Sequence, residues 1–258
     1  MSRVSLDRCV NYGIDDVYNA VKRSIDLLGG IEKYVKPGMK VLLKPNLLTV
    51  SRPEDAVVTH PEVVRAVGRL VRKSGADVWV GDSPGGYGKN IDEIFEASGL
   101  KHISDEEGFE LVKFTTSNFV EGFPIAKQVF DADLMISIPK LKTHCVTIMT
   151  GAIKNTFGTV TGLYKAGCHS WAPKEDDLAK ILVKVHSLVR PALTIVDGIV
   201  GMEGDGPSGG SPRAMNVVMA GEDSVAIDSF IARMFGLNPL DAAVIRFAHE
   251  AGLGERDL

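Results

Sequence analysis

A strand, a helix and a second strand follow one another within residues 41–80, and this order constrains the fold more than any other feature of the chain. Val41–Leu43 and Asp77–Val80 are short apolar runs typical of buried strands. Between them, the apolar residues of His60–Ser74 recur with helical spacing. Two strands joined through a helix lie parallel in one sheet. The chain is therefore predicted to be an α/β protein with mainly parallel sheet and flanking helices.

The ends of the central helix carry their own signals. Thr59 is the predicted N-cap, Pro61 falls in the first turn, Glu62 stands at the capping-box position, and Gly75 ends the helix. The same reasoning extends along the chain. It predicts strands at Leu111–Phe114, Leu134–Ile138, Leu193–Val196 and Val217–Ala220, and helices at Ile91–Ala97, Cys145–Phe157, Leu178–Leu188, Asp223–Phe235 and Leu240–Ala251.

A length of 258 residues fits one large α/β domain or two small ones. The segment Ser117–Pro124 is a candidate join between two α/β lobes, residues 1–120 and 121–258, with a crevice between them. Both arrangements stay open at the level of the sequence.

Composition narrows the class of partner. With a net charge of −4, the chain has no global attraction to nucleic acid or to a membrane surface. Its three cysteines, Cys9, Cys145 and Cys168, are widely spaced and form no CxxC pair, so we expect neither disulfides nor an iron–sulfur cluster carried by this chain. No signal-peptide pattern and no bilayer-length apolar run is present. These features predict a cytoplasmic protein with no nucleic-acid or membrane partner.

Four predicted strands run into polar segments that contain glycine or proline. In open parallel sheets, ligands bind in the crevice beyond the carboxyl ends of the strands. We therefore expect a ligand site where these segments meet. They are Lys44–Asn46, Gly81–Asn90, Pro139–His144 and Asp197–Arg213.

The segment Pro139–His144 is the strongest site candidate, because it concentrates Lys140, Lys142 and Thr143 beside His144 in an acidic protein. Lysines in such a cluster favour an anionic ligand, and a histidine with a pKa near neutrality can transfer a proton. If Cys145–Phe157 is helical, Lys154 stands about 80° short of three full turns from His144, so both reach one side. Asn155 follows as a further binding candidate. The alternative is a solvated basic loop.

Two glycine-rich segments are further candidates. Gly81–Asn90 matches neither the Walker A motif nor the dinucleotide fingerprint, yet Ser83, Gly85 and Gly86 could cradle an anion with backbone N–H groups. The alternative is a flexible surface loop. Asp197, Glu203 and Asp205 share the other segment, where Asp197 is expected to orient a base or a cation.

Two smaller signals remain. Lys44 and Asn46 end an apolar strand, where a charge needs a ligand or an ion-pair partner, and the two readings are equally favoured. His144-Cys145 and Cys168-His169 contain zinc-ligand residue types, but adjacent residues point in different directions, which disfavours a structural zinc.

Taken together and in this order, these motifs resemble a family catalogued as domain of unknown function 362, over nearly the whole chain. Its members are often fused to a ferredoxin-like domain with two [4Fe–4S] clusters, which implies a ferredoxin-type partner or redox link. This chain lacks that domain and ends at Leu258, where family members usually continue, so it is expected to be a fragment or a trimmed chain. The matching motifs are Leu43–Leu47, Thr59–Glu62, Gly81–Gly86, Ile138–His144, Gly151–Asn155 and Asp197-Gly198.

The stretch Asp133–Gly162 is also similar to the catalytic stretch of nickel-pincer lactate racemases. That resemblance implies a shared fold, with His144 and Lys154 at the positions of a histidine that follows a strand and of the lysine that bonds to the pincer cofactor. His169 is a loose candidate for a nickel ligand. The segment Gly81–Asn90 lacks the catalytic histidine that the racemases carry there, so racemase chemistry does not follow.

The sequence thus predicts an enzyme-like domain that binds an anionic small molecule or cofactor in a Lys/His-lined crevice, with His144, Lys154 and Asp197 as catalytic candidates. A flavin or a nickel-type cofactor would suit such a site. Two alternatives stay open: racemase- or isomerase-type proton or hydride transfer, and a non-catalytic module that binds a ligand or an iron–sulfur partner.

Overall fold

The computed structural model describes residues 2–85, 90–172 and 174–257. The α-helices vary in length from one turn to four. They are α1 (Ile14–Asp26), α2 (Pro61–Lys73), α3 (Ile91–Ala97), α4 (Leu100–Glu107), α5 (Lys127–Asp131), α6 (Ala152–Asn155), α7 (Tyr164–Trp171), α8 (Glu175–Val189), α9 (Ser224–Met234) and α10 (Ala243–Glu250).

The strands alternate with these helices along most of the chain. They are β1 (Val4–Arg8), β2 (Lys40–Pro45), β3 (Asp77–Val80), β4 (Glu110–Leu111), β5 (Ser117–Val120), β6 (Phe123–Ala126), β7 (Leu134–Ile138), β8 (Lys140–His144), β9 (Ile148–Thr150), β10 (Leu193–Glu203) and β11 (Ser211–Gly221).

Within the described residues, one sheet contains nine strands and a hairpin of β5 and β6 forms a second. The order of the main sheet is β1-β11-β10-β7-β2-β3-β4, and β8 pairs with β10 and β9. The strands from β10 to β4 in that order are mutually parallel. Antiparallel β11 and β1 complete one edge. The predicted α/β class with a mainly parallel sheet is confirmed.

Helices cover both faces of this sheet, as a parallel sheet requires. One apolar core contains residues of α1, α2, α3 and α4. The other core contains residues of α6, α8, α9 and α10. The alternating side chains of the central strands divide between the two cores, so that Leu43 belongs to the first and Leu42 to the second.

The order of the strands places a crevice at one end of the sheet. Strand β2 has β3 on one side and β7 on the other, both parallel to it. The chain therefore leaves β2 toward one edge and later returns on the opposite side. At such a reversal, the connections at the carboxyl ends of the strands diverge and leave room for a ligand.

The central helix lies where the sequence places it, but its cap is shifted by one residue. His60, not Thr59, is the N-cap, and its Nδ1 accepts a hydrogen bond from the backbone N–H of Glu62. The hydroxyl of Thr59 instead donates to the carbonyl of Ile138, at 2.6 Å. Thr59 therefore ties this helix to the end of β7 and is unavailable as a cap.

The predicted helix Cys145–Phe157 is wrong. The chain forms a hairpin of β8 and β9, followed by the single turn α6 and a 3-10 turn over Thr156–Thr159. The β-branched residues Thr147, Ile148 and Thr150 favour extended pairing over a helix. The rotation argument that placed His144 and Lys154 on one helix face is therefore wrong as well.

Two other segments differ from prediction. Residues 197–213 were expected to form a loop, yet most of them extend β10 and β11 into a long antiparallel hairpin. The strand predicted at Leu111–Phe114 is shorter and begins one residue earlier, at Glu110–Leu111. The division into lobes at residue 120 stays a prediction. Among the described residues, no helix is long and apolar enough to cross a membrane.

Candidate functional site

A cleft of about 580 Å³ lies beyond the carboxyl ends of β2 and β3. Connections after four strands contribute to its walls, together with α6 and α7. Its described lining combines amide, hydroxyl, amine and imidazole groups with apolar side chains. It includes Asn46–Thr49, Asp82, Ser83, Gly85, His144–Val146, Lys154, Asn155, Phe157, Gly158, Lys165, Pro207 and Ser208.

A buried ion pair forms the floor of the cleft. The Nζ of Lys44 lies 2.8 Å from Oδ1 of Asp82, and both side chains are almost completely inaccessible to solvent. Burial lowers the pKa of Lys44, against the opposing effect of Asp82. Gly158 passes directly over the pair, and a Cβ on it would stand 2.1 Å from Oδ1 of Asp82. A glycine is therefore required where the backbone covers this pair.

Backbone and amide groups complete the floor. The second carboxylate oxygen of Asp82 accepts a hydrogen bond from the N–H of Leu47, which fixes the connection after β2 to the connection after β3. Asn155 donates through Nδ2 to the carbonyl of Lys44 and to the hydroxyl of Ser137. These bonds join α6 to β2 and β7, so the walls of the cleft are rigidly connected.

Lys154 lines the cleft, and its Nζ has no hydrogen-bond acceptor or carboxylate partner among the described residues. Burial lowers the pKa of Lys154 to about 8, and the nearby charge of Lys44 also lowers it. An amine with this pKa exists in both protonation states near neutral pH. Lys154 can therefore bind an anion or exchange a proton.

Lys165 brings a second amine to the wall from α7. Its Nζ donates to the carbonyl oxygen of Ser83 at 2.6 Å and to the hydroxyl of Ser83 at 2.8 Å. These bonds hold Ser83 and the first turn of the connection after β3 against α7. Among the described lining residues, Asp82 is the only carboxylate, and Lys44 and two backbone N–H groups already occupy it.

His144 ends β8 and lines the same cleft. Its Nδ1 lies 3.1 Å from the backbone nitrogen of Val146 and 3.3 Å from that of Thr147, and both N–H groups point at it. An Nδ1 that accepts hydrogen bonds leaves the proton of a neutral imidazole on Nε2. The exposed thiol of Cys145 follows in the turn and also lines the cleft.

Lys140 and Lys142 do not form the exposed basic patch that the sequence predicts. Both belong to β8 and are almost completely buried. Lys142 donates to the carbonyl of Val57, and burial lowers its pKa well below the ordinary value. Both amines are engaged within the protein, Lys140 by Asp197 and Lys142 by the carbonyl of Val57, and neither residue is among those that line the cleft.

Asp197 is also absent from the cleft lining and has no hydrogen bond to His144. Its carboxylate lies 2.9 Å from Nζ of Lys140 and accepts hydrogen bonds from the hydroxyl of Tyr12 and the N–H of His60. The ring of Tyr12 stacks on that of His60, with 3.6 Å between ring centroids. Burial lowers the pKa of His60 to about 4. We call these four side chains the Asp197 network.

The remaining candidates divide between the cleft and other places. Asn46, Ser83, Gly85 and Asn155 line the cleft, and Lys44 lies beneath it. Thr143 faces a different groove and donates to the carbonyl of Gly204. Glu203 pairs with Arg213 on the strand surface, so the predicted acidic loop does not gather at one point.

Two candidates cannot be placed. Gly86 and the side chain of His169 lie outside the described residues. Among the described residues, no group of three His, Cys, Asp or Glu side chains could hold a metal ion. The zinc set considered from the sequence includes His169, so the expectation of no structural zinc stays a prediction.

Sequence reasoning missed several contributors. Asp82 lies two residues past the end of β3, and Lys44 lies near the end of the neighbouring parallel strand β2. Opposite charges at the ends of neighbouring parallel strands are a signal that the sequence contains. Lys165 lies on a helix that apolar periodicity did not predict. Tyr12 comes from the N-terminal segment, and no sequence pattern connects it to Asp197.

Comparison with known sequences identifies the group to which this chain belongs. A family described as domain of unknown function (DUF362) matches residues 41–233. The chain belongs to this family. The match contains every strand and helix that contributes to the cleft, so this DUF362 site is built from elements of the family domain.

Two known proteins are similar to this chain, one in sequence and one in fold. It is 35% identical over 257 residues to a thylakoid-associated protein of Synechocystis sp., covering 97% of this chain and 79% of the relative. The structure resembles that of the lactate racemase apoprotein from Thermoanaerobacterium thermosaccharolyticum, with a TM-score of 0.52, 11% identity and 85% of this chain covered. This chain spans 54% of that racemase chain, and the likeness shows a shared fold.

Proposed function

We propose that the cleft binds a small anionic molecule, with the ammonium group of Lys154 contacting its carboxylate or phosphate group. The observation that carries this proposal is an amine, without a partner among the described residues, in a cleft whose described carboxylate is already occupied. A buried ammonium gains most from an anionic partner when no protein group supplies one. Lys165 lines the same cleft and adds a second positive charge to its wall.

The second part of the proposal is that the cleft performs proton transfer. Lys154 and His144 line one cavity, and burial lowers the pKa of Lys154 to about 8. Efficient acid–base groups have pKa values near the working pH. In this scheme the ammonium form of Lys154 binds the anion, and its neutral amine form, also populated at a pKa of about 8, takes a proton from the bound molecule while the Nε2–H of His144 donates one. Asp197, a catalytic candidate from the sequence, has no part in it.

The resemblance to lactate racemases raises the question of a covalently attached cofactor. Such a group would supply hydride chemistry when bound. A desolvated amine with a lowered pKa fits the attachment site, and Lys154 is that residue. A nickel ion would need further ligands, and among the described residues His144 alone in the cleft is a nitrogen ligand of the required kind. The described geometry thus supports the lysine part of the resemblance.

The test is anion binding by matched lysine variants. Phosphate and oxalate are titrated into the wild-type chain at pH 7 and low ionic strength, and binding is followed by calorimetry. Lys154→Met should weaken binding about ten- to a hundredfold, because a charge-assisted hydrogen bond contributes about 1.5–3 kcal/mol. Lys184→Met is the control, since Lys184 is an exposed lysine of α8 that pairs with Glu121.

Equal affinity in the wild-type and Lys154→Met chains would contradict the proposal. Proton transfer is tested separately with lactate as a probe that has a C–H bond, and His144→Gln should keep anion affinity while slowing exchange of the lactate C2 proton with solvent deuterium. A chain that binds anions without any such exchange would favour the alternative of a non-catalytic binding module.

Two wider predictions stay open. A ferredoxin-type partner and a redox role are suggested by the domain fusions of relatives, and electron transfer from a reduced ferredoxin would test them. Cytoplasmic location is a prediction from the sequence, while the curated relative is named thylakoid-associated. Fractionation of cells that express the full chain distinguishes these locations.

A further inference from the structure

The short element α6, which carries Lys154 and Asn155 into the cleft, is held from behind by one side chain. Asp228 of α9 is almost completely buried, and each of its carboxylate oxygens accepts one backbone hydrogen bond. Oδ1 lies 2.6 Å from the nitrogen of Ala152, and Oδ2 lies 3.1 Å from that of Ile153. The bonded nitrogens belong to the two residues immediately before Lys154.

From this arrangement we infer that Asp228 is a positioning residue for the anion-binding cleft, fixing α6 so that the amine of Lys154 stays in its desolvated place. The inference rests on the proposed function for its consequence in anion binding. Asp228 itself is absent from the cleft lining.

A one-turn helix needs such support. Isolated helices of this length do not persist, because nucleation costs more than a few hydrogen bonds return. The first N–H groups of any helix also lack partners within the helix. Asp228 supplies hydrogen-bond acceptors for two of these N–H groups. At the other end of α6, the hydroxyl of Thr156 donates to the carbonyl of Ile153. The position of Lys154 therefore depends on bonds that a distant helix provides.

Gly151 gives independent evidence of close fit. A Cβ on Gly151 would stand 2.1 Å from Oδ1 of Asp228 and 2.6 Å from its Cγ. The backbone before α6 thus lies directly against the carboxylate, which leaves no room for a longer or displaced side chain. The approach is close because the carboxylate bridges two consecutive N–H groups.

A carboxylate is an unfavourable choice here unless its two acceptors are needed. Burial raises the pKa of Asp228 to about 7, and the charge of Asp223 adds to the rise, so the fold disfavours the ionised form. Asparagine has nearly the same shape and no charge to desolvate. It can accept only one of the two bonds, because its amide NH₂ would meet the other N–H. A purely space-filling role would therefore be served as well by asparagine.

The experiment measures the surroundings of Lys154 directly. Lysines of the full chain are dimethylated with ¹³C-formaldehyde, and the Lys154 signal is assigned by its loss in Lys154→Arg. In the wild type this signal should titrate near pH 8. In Asp228→Asn its pKa should rise by about one unit or more toward the ordinary lysine value, because a displaced amine becomes better hydrated. In Asp228→Ala the rise should be larger.

Phosphate affinity of the unmodified chains gives the second measurement. Asp228→Asn should weaken phosphate binding about tenfold. Asp133→Asn is the control, since Asp133 also accepts a backbone hydrogen bond, from the N–H of Lys40 at the start of β2, and is absent from the cleft lining. It should leave the Lys154 pKa and phosphate affinity unchanged. Thermal unfolding confirms that each variant is folded, and Asp228→Asn carries the test if Asp228→Ala does not fold.

The outcomes separate the two proposals. If the Lys154 pKa and phosphate affinity are the same in Asp228→Asn and wild type, the positioning role is overturned while anion binding stands. If the Lys154 pKa rises in Asp228→Asn but wild-type chain binds no phosphate or oxalate, the positioning role stands and the proposed function fails. An equal pKa shift in Asp133→Asn would also overturn the inference, because the effect would then be one of general stability.

Discussion

Two lysines of the same segment have opposite surroundings. Lys140 is completely buried and bonds to both Asp197 and Tyr12. Lys154 lies in the cleft wall and has no such partner among the described residues. A paired buried charge stabilises a particular packing, whereas an unpaired amine in a cavity is available to a ligand. The difference separates a structural network from a candidate site, although both come from one lysine-rich stretch.

The largest expected effect is on the Asp197 network. Lys140→Met should lower the free energy of unfolding by about 3–5 kcal/mol, because it leaves the carboxylate of Asp197 buried without its cation. Urea unfolding followed by circular dichroism measures this. A loss below about 1 kcal/mol would mean that Tyr12 and the N–H of His60 alone satisfy Asp197, and the comparison between the two lysines would then fail.

A smaller effect is expected at the cleft floor. Gly158→Ala should destabilise the chain by about 1–3 kcal/mol, because the new methyl group would overlap the Lys44–Asp82 pair. The same urea experiment applies, with Gly122→Ala as a comparison, where a Cβ meets no atom within 4 Å. Since Gly122 has a φ of 88°, Gly122→Ala introduces backbone strain of its own. Steric overlap at Gly158 is shown if Gly158→Ala lowers the free energy of unfolding more than Gly122→Ala does.

The pH dependence of anion binding should follow Lys154. Its pKa is lowered to about 8, so the ammonium form prevails below pH 8 and is lost as the pH rises above it. Phosphate affinity should therefore fall about tenfold between pH 7 and pH 9, where roughly a tenth of the amines stay charged. Calorimetric titrations across this range provide the check. Affinity that stays constant to pH 10 would assign the binding to another cation.

The smallest effect expected is on stability at the cleft. Lys154→Met should change the free energy of unfolding at pH 7 by less than about 1 kcal/mol, or raise it slightly. The sign follows from the pKa, because a lysine whose pKa is lowered by burial is destabilised as the cation in the folded chain. A loss as large as that in Lys140→Met, measured in urea, would show that Lys154 has a structural partner.

The fold was accessible from the sequence to a useful extent. The helix of residues 61–73 and the strands on either side of it were predicted within a few residues, and they imply the parallel sheet. Apolar periodicity carries this information because burial of one face is a local requirement. The hairpin after His144 was not predicted, since its pairing with β10 depends on a strand that begins at Leu193.

Some of the candidate site residues predicted from the sequence lie together in the structure, and others do not. His144, Lys154, Asn46 and Ser83 do line one cleft, as expected from the carboxyl ends of parallel strands. Their grouping follows from sheet topology, not from the helical spacing that first connected His144 with Lys154. The variants Lys154→Met and His144→Gln test whether these residues act on a ligand.

By itself, the sequence determined the α/β class, the end of the sheet where polar residues collect and the family to which the chain belongs. The tertiary structure decided which charges are satisfied. Asp197 is far along the chain from both Tyr12 and Lys140, yet it bonds to both. Asp82 follows β3 and forms an ion pair with Lys44 of the neighbouring strand β2. A lysine in a sequence has the same charge wherever it occurs. Burial and the distance to a carboxylate decide whether that charge holds the fold together or faces a ligand.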